Sequence, residues 1–218
     1  DRYLHQQFQS TFDGYVFFWY GKRNWANLGR TAAEVRADEM MRIKAAQGTT
    51  VTVAELNQQK EAKNPHMEKV TQVFTEQELV ESAGFHYVRI TATDHVWPSA
   101  QNIDAFLAFY KTLPQNAWLH FHCQAGKGRT TSFMAMYDML RNPSLALKDI
   151  LYRQEEIGGE YLGYTGDNIK DNWKTRVFQY KAKMIQEFYN YVQENHATGY
   201  AVTWSEWLKN KKLSAVQD

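Results

Sequence analysis

Alternating and helix-period apolar positions divide the chain into pieces. Residues 15–20, YVFFWY, are the most apolar run and read as a buried strand, after a short strand and a turn at Asp13-Gly14. Thr31-Ala-Ala-Glu34 is a capping box that starts a helix to about Ala46, ended by Gly48. β-branched residues predict a strand at 49–53, 55–65 is polar, and a strand over 85–90 follows a connection at 70–74 and a helix at 75–83. A helix from Ser99 carries Phe106, Phe109, Tyr110 and Leu113. At 118–122, Leu119 and Phe121 alternate with His120 and His122, the pattern of another strand. After Arg129 the spacing predicts a helix whose buried face is Phe133, Met136 (or Tyr137) and Leu140. A further helix spans about 145–157 and is stopped by Gly158-Gly159. The long helix at about 171–195 has Trp173, Val177, Met184, Phe188 and Tyr191 as a core stripe. Residues 200–208, with Trp204 and Trp207, read as an amphipathic piece packing on the core.

Strands interleaved with helices predict an α/β fold, a central sheet with helices on both faces. One domain over 1–218 is expected, with a small β-rich lobe from parts of 1–20 and 49–90. A formal net charge of +1 gives no global pull on nucleic acid or membrane, and no apolar run approaches the length of a membrane span. A single cysteine rules out an internal disulfide. The first residues, DRYLHQQ, hold no apolar signal core and suggest a fragment or a processed chain, truncated at its N-terminus.

The chemistry sits at 118–133, WLHFHCQAGKGRTTSF. A strand ends at His122-Cys123, and a loop of Gln124, Ala125, Gly126, Lys127 and Gly128 leads through Arg129 and Thr130 into a helix N-terminus. Loop N–H groups, the helix dipole and a two-pronged guanidinium make a site for an oxyanion, and the same field favours a thiolate at Cys123. A phosphate ester held by Arg129 would present its phosphorus to that sulfur. Transfer to the sulfur also needs an acid for the leaving oxygen, and Asp94, on a loop before the Ser99 helix, is the best acid in the chain. Because the loop and Arg129 hold the phosphoryl charge, the scheme calls for neither metal nor cofactor. Lys22 and Arg23 are either a solvated loop or the rim of an anion site, and Lys60 alone is a solvated charge. Arg176, Tyr180 and Lys183 share one face of the long helix, a solvated face if taken alone.

HCQAGKGRT resembles the HC-x5-R-[ST] signature of protein-tyrosine-phosphatase-like enzymes. With TDHVWP and WYGKRNWANLGR, the chain resembles over nearly its whole length the bacterial protein-tyrosine-phosphatase-like (cysteine) phytases, which remove phosphates from myo-inositol hexakisphosphate. The resemblance implies a phosphatase-like central sheet flanked by helices with a smaller partial β-barrel lobe. It implies Cys123 as nucleophile forming a phosphocysteine, Arg129 as phosphoryl binder, Thr130 as hydrogen-bond donor to the sulfur and Asp94 as general acid. His122 belongs to the signature, His95 is a substrate contact, and residues 124–128 cradle the phosphate. Arg176, Tyr180 and Lys183 correspond to the family's basic and tyrosine substrate contacts, and Lys60, Lys22, Arg23 and Asn24 correspond more loosely. The partners so implied are the hexakisphosphate, lower inositol phosphates and phosphate; the location is exported, periplasmic or secreted. The resemblance implies that this chain begins inside the family's N-terminal region and that Asn24 stands where an acidic residue is common. The alternatives are a phosphotyrosine or phosphoinositide phosphatase, a non-catalytic inositol-phosphate-binding module and, last, a rhodanese-type sulfur transferase.

Overall fold

The computed structural model describes residues 5–9, 13–17, 25–57, 62–123, 125–164 and 173–213, the first two stretches, Leu56 and Ala62 by backbone alone. Its contacts divide it into two compact units, residues 2–91 and residues 92–218.

In residues 2–91, β1 (His5–Gln9) and β2 (Asp13–Phe17) form an antiparallel hairpin, in register from His5 opposite Phe17 to Gln9 opposite Asp13. The helix α1 (Ala32–Ala46) opens on the predicted capping box, with both reciprocal Thr31–Glu34 bonds present, and buries Val35, Glu39 and Ile43. Glu39 is tolerated there because Arg89 pairs with it. β3 (Thr50–Leu56) pairs antiparallel with β4 (Ala62–Lys69), a strand that the sequence pattern assigns to a polar stretch. Pro65 and Asn64 hide it. The register slips between Val53, opposite His66, and Glu55, opposite Lys63, so β4 carries one extra residue there. That bulge accommodates a proline without an N–H and an asparagine at φ 49°. α2 (Glu76–Ser82) starts on a second capping box, Thr75 with Glu78.

Residues 92–218 hold α3 (Ala100–Thr112), α4 (Gly128–Arg141), α5 (Leu147–Glu156), α6 (Trp173–Asn195) and α7 (Trp204–Asn210). α4 is the axis of this unit and packs on α5 and α6, while α3 packs on α7. Only Gly128, Met134, Tyr137 and Arg141 of α4 escape full burial, so the single buried face expected of it is too narrow. The α6 stripe forms as predicted, with Val177, Met184, Phe188 and Tyr191 buried and Trp173 half-buried. Trp204 and Trp207 of α7 stack at 5.3 Å and close this core against Phe188 and Tyr191. No helix among the described residues is long and apolar enough to cross a membrane.

Of the predicted sheet, the described residues carry short antiparallel ladders. Among the described residues the ladders are the two hairpins, each paired within itself, and no barrel closes between them. Residues 118–123 keep the two-residue period. Leu119, Phe121 and Cys123 are half-buried, whereas Trp118, His120 and His122 are exposed and their rings stack in sequence at 6.2 and 5.4 Å. Phe121 packs edge-on against Phe106 of α3 and against Tyr137 of α4. Alternation in sequence fixes which face of a segment is buried, but a ladder also needs a neighbour in register, which alternation does not encode.

Candidate active site

Phe121, held between α3 and α4, delivers Cys123 to the start of the loop that enters α4. Gly126 turns that loop at φ 67°, a conformation in which a side chain would be strained. Among the described residues four helices begin on a hydroxyl cap: Thr31, Thr75, Ser99 and Thr203. α4 has none, since Lys127 occupies its N-cap position and no side chain caps it. Its first N–H groups therefore keep their capacity for an anion, with the helix dipole behind them.

Burial pushes the Cys123 thiol up, yet its net position is below the ordinary thiol. The Thr130 hydroxyl and the Arg129 charge, with backbone N–H groups of Thr130 and Gly126, more than offset the desolvation. The Thr130 hydroxyl is buried and makes no other hydrogen bond among the described residues, so it is available to the sulfur.

Arg129 is buried, and its Nη2 stands 3.1 Å from Oδ1 of Asp94. The same oxygen accepts the His95 backbone N–H at 2.9 Å, and Asp94 Oδ2 lies 3.4 Å from His95 Nε2. The turn is tight, with Val96 N–H bonded to Asp94 O at 2.9 Å and His95 at φ 67°. Left-handed backbone costs a non-glycine residue about 1 kcal/mol, the kind of strain that accumulates at functional turns. The His95 ring meets Trp173 of α6 edge-on at 5.4 Å. Burial lowers its imidazole below the usual value, opposed by Asp94 and reinforced by Lys181, Lys174 and Arg129.

The structure thus brings Asp94, His95, Arg129, Thr130 and Cys123 into one cluster. His122 is exposed, with Nδ1 3.3 Å from Cys123 O. Ala125, Gly126 and Lys127 are exposed along the loop, and Gly128 is half-buried. Arg176 and Lys183 are exposed on α6 and Tyr180 is half-buried. Lys22, Arg23, Asn24, Lys60 and Gln124 lie outside the described residues. No group of three or more histidine, cysteine or carboxylate side chains suited to a metal occurs among the described residues.

Three residues at the site escape the sequence reading. Lys181 is buried in the α6 stripe, its Nζ 2.7 Å from Oε2 of Glu160, while the Thr131 hydroxyl accepts the Glu160 N–H at 2.9 Å. The available signal was the spacing 177, 181, 184, 188, which puts a lysine on an apolar face and demands a counter-charge.

A low-lying thiol served by a hydroxyl and a buried arginine, at an uncapped helix start, is the arrangement of the cysteine-dependent phosphatases. A family model for PTP-like phytases, described by the words inositol hexakisphosphate, matches residues 10–141, and the chain belongs to that family. A PTP-like myo-inositol phosphatase from Mitsuokella multacida, solved in complex with myo-inositol-(1,3,4,5)-tetrakisphosphate, is 52% identical. It superposes with a TM-score of 0.88, covering 95% of this chain and 35% of that one. A PTP-like phytase from Bdellovibrio bacteriovorus is 31% identical, with a TM-score of 0.75 over 95% of this chain and 73% of that one. The effector protein hopD2 of Pseudomonas syringae pv. tomato is 30% identical over 193 residues, 86% of this chain and 41% of the relative. The chain therefore shares the PTP-like phytase fold and spans well under half of two of these relatives.

Proposed function

We propose that this protein hydrolyses phosphomonoesters of myo-inositol hexakisphosphate and lower inositol phosphates through a phosphocysteine. The observation that carries the reading is the cluster itself: a lowered Cys123 thiol beside Arg129, whose guanidinium lies 3.1 Å from the Asp94 carboxylate. The Cys123 thiolate attacks phosphorus, a P–S bond forms and the P–O bond to the inositol breaks. Asp94 gives its proton to the departing alkoxide. Water then attacks phosphorus, Asp94 takes the water proton, and the P–S bond breaks to return the thiolate and free phosphate. Arg129 and the N–H groups at the start of α4 stabilise the equatorial oxygens in both steps. Thr130 donates to the sulfur and eases its departure.

The substrate class rests on family membership and on the inositol tetrakisphosphate bound by the Mitsuokella multacida relative. Exposed Arg176 and Lys183 on α6, with Tyr180 between them, suit a polyanion, and Lys22, Arg23, Asn24 and Lys60 are assigned the same role by the resemblance. The finer architecture expected of the family, a central sheet with a partial barrel lobe, belongs to this proposal, as does export from the cell.

The test is phosphate release from myo-inositol hexakisphosphate and from a phosphotyrosine peptide, with chelator present and Cys123→Ser as control. Preference for the inositol phosphate, lost in the variant, is the expected result. Preference for the peptide overturns the substrate, and full activity of Cys123→Ser overturns the mechanism.

A further inference from the structure

Behind the phosphate-binding loop lies an ion pair that the reaction scheme does not use. Lys181 projects from α6 with its side chain only 3% exposed, and its Nζ reaches Glu160 Oε2 at 2.7 Å. The pair presses on the first residue of α4. A Cβ added to Gly128 would stand 3.1 Å from Lys181 Nζ and 3.3 Å from Glu160 Oε2. Glu160 is fixed from the other side, since its N–H donates to Thr131 Oγ1 and that hydroxyl donates to Lys127 O at 2.8 Å. Gly158, at φ 96°, and Gly159 let the chain come this close. A Cβ on Gly159 would stand 2.5 Å from Gln154 O and 2.8 Å from Thr131 Oγ1. The Gly158-Gly159-Glu160 run is therefore more than a helix stop.

A buried ion pair adds little net stability, because desolvating two charges consumes most of their attraction. It does impose a geometry, and here the geometry is that of residues 127, 128 and 131, which set the direction of the α4 N–H groups and of Arg129. Lys181 also lies close enough to influence the His95 imidazole, and α6 carries Trp173 against the same ring. We propose that Lys181 and Glu160 are positioning residues, a strut from α6 that holds Gly128 and the first turn of α4 in the conformation that binds phosphate and turns its N–H groups toward Cys123. This rests on the phosphatase reading above for its kinetic consequence, but not for its effect on the thiol.

The experiment compares wild type, Lys181→Met, Glu160→Gln and the double variant, with Arg153→Met as control. Arg153 pairs with buried Asp138 near the far end of α4, so its loss disturbs the helix without touching the loop. Three readouts are taken: the pH profile of Cys123 alkylation by iodoacetamide, kcat and KM on p-nitrophenyl phosphate and myo-inositol hexakisphosphate, and the melting temperature. Lys181→Met is expected to raise the alkylation midpoint and lower kcat about 10- to 100-fold on both substrates, since small misplacements at a reacting centre cost that much. The double variant should be no worse than Lys181→Met, because the two residues act as one unit. Arg153→Met should melt lower while keeping the wild-type alkylation midpoint. If Lys181→Met and Glu160→Gln lower only the melting temperature, as the control does, the strut is overturned. Should Lys181→Met fail to fold, Glu160→Gln alone decides. If the wild type releases no phosphate from either substrate, the functional reading fails, and the alkylation profile still decides the strut.

Discussion

Gly159→Ala is the substitution whose consequence the structure specifies most closely. The added methyl would lie 2.5 Å from the Gln154 carbonyl oxygen, 2.8 Å from Thr131 Oγ1 and 3.0 Å from Thr131 Cγ2. The first contact is with backbone and the other two are with a buried side chain, so none can be relieved by swinging a flexible end aside. The loop must retreat from α4. That retreat weakens the Gly159 N–H bond to Gln154 O and the Glu160 N–H bond to Thr131 Oγ1. Overpacking costs about 1–3 kcal/mol and a lost hydrogen bond about 1 kcal/mol, together about 2–4 kcal/mol. For a chain of this size the melting temperature should fall by roughly 5–15 °C. Activity should fall as well, because Thr131 bonds Lys127 O in the loop that enters α4. Gly158→Ala is the comparison: a Cβ there meets open space, and the cost is the backbone strain of φ 96°, about 1–3 kcal/mol, without loss of kcat. Calorimetry and phosphate release on both variants check this. An unchanged melting temperature and kcat in Gly159→Ala, or an equal loss of kcat in Gly158→Ala, would refute the packing argument.

Thr130→Val keeps the shape of the buried side chain and removes the donor to sulfur, so the midpoint of Cys123 alkylation should move up in pH; an unmoved midpoint refutes the hydroxyl's role. The His95 imidazole is lower in the folded than in the unfolded chain, so its stability contribution is present above the ordinary imidazole value of about 6.5 and is lost as pH falls through the folded value. His95→Gln should therefore lose less stability than wild type between pH 7 and pH 5 by denaturant unfolding. Asp94→Asn should slow hydrolysis of inositol phosphates far more than of activated aryl phosphates, whose leaving groups need no acid; equal slowing counts against the general acid. Tyr191→Phe removes the hydroxyl that bonds the Val202 carbonyl at 2.7 Å inside the α6–α7 core, and chemical denaturation should register a loss of about 1 kcal/mol.

What the sequence determined by itself is local in origin. The capping box at Thr31, the helix at 75–83, the α6 stripe and the Cys123–Thr130 loop entering a helix depend on neighbours within a few residues, so spacing alone reveals them. Only the tertiary structure decided the rest. β4 was hidden because Pro65 is incompatible with a regular strand and compatible with a bulge, which exists only once β3 lies alongside. The near-complete burial of α4 follows from helices packing around it, which no single amphipathic pattern records. Asp94 and Arg129 are 35 positions apart in the chain, and Glu160 and Lys181 are 21 apart. Sequence could nominate Asp94 as an acid, but placing its carboxylate on Arg129 took the fold. Lys181 on an apolar stripe announced that a counter-charge was needed, and which carboxylate answers was decided by the close approach that Gly159 permits.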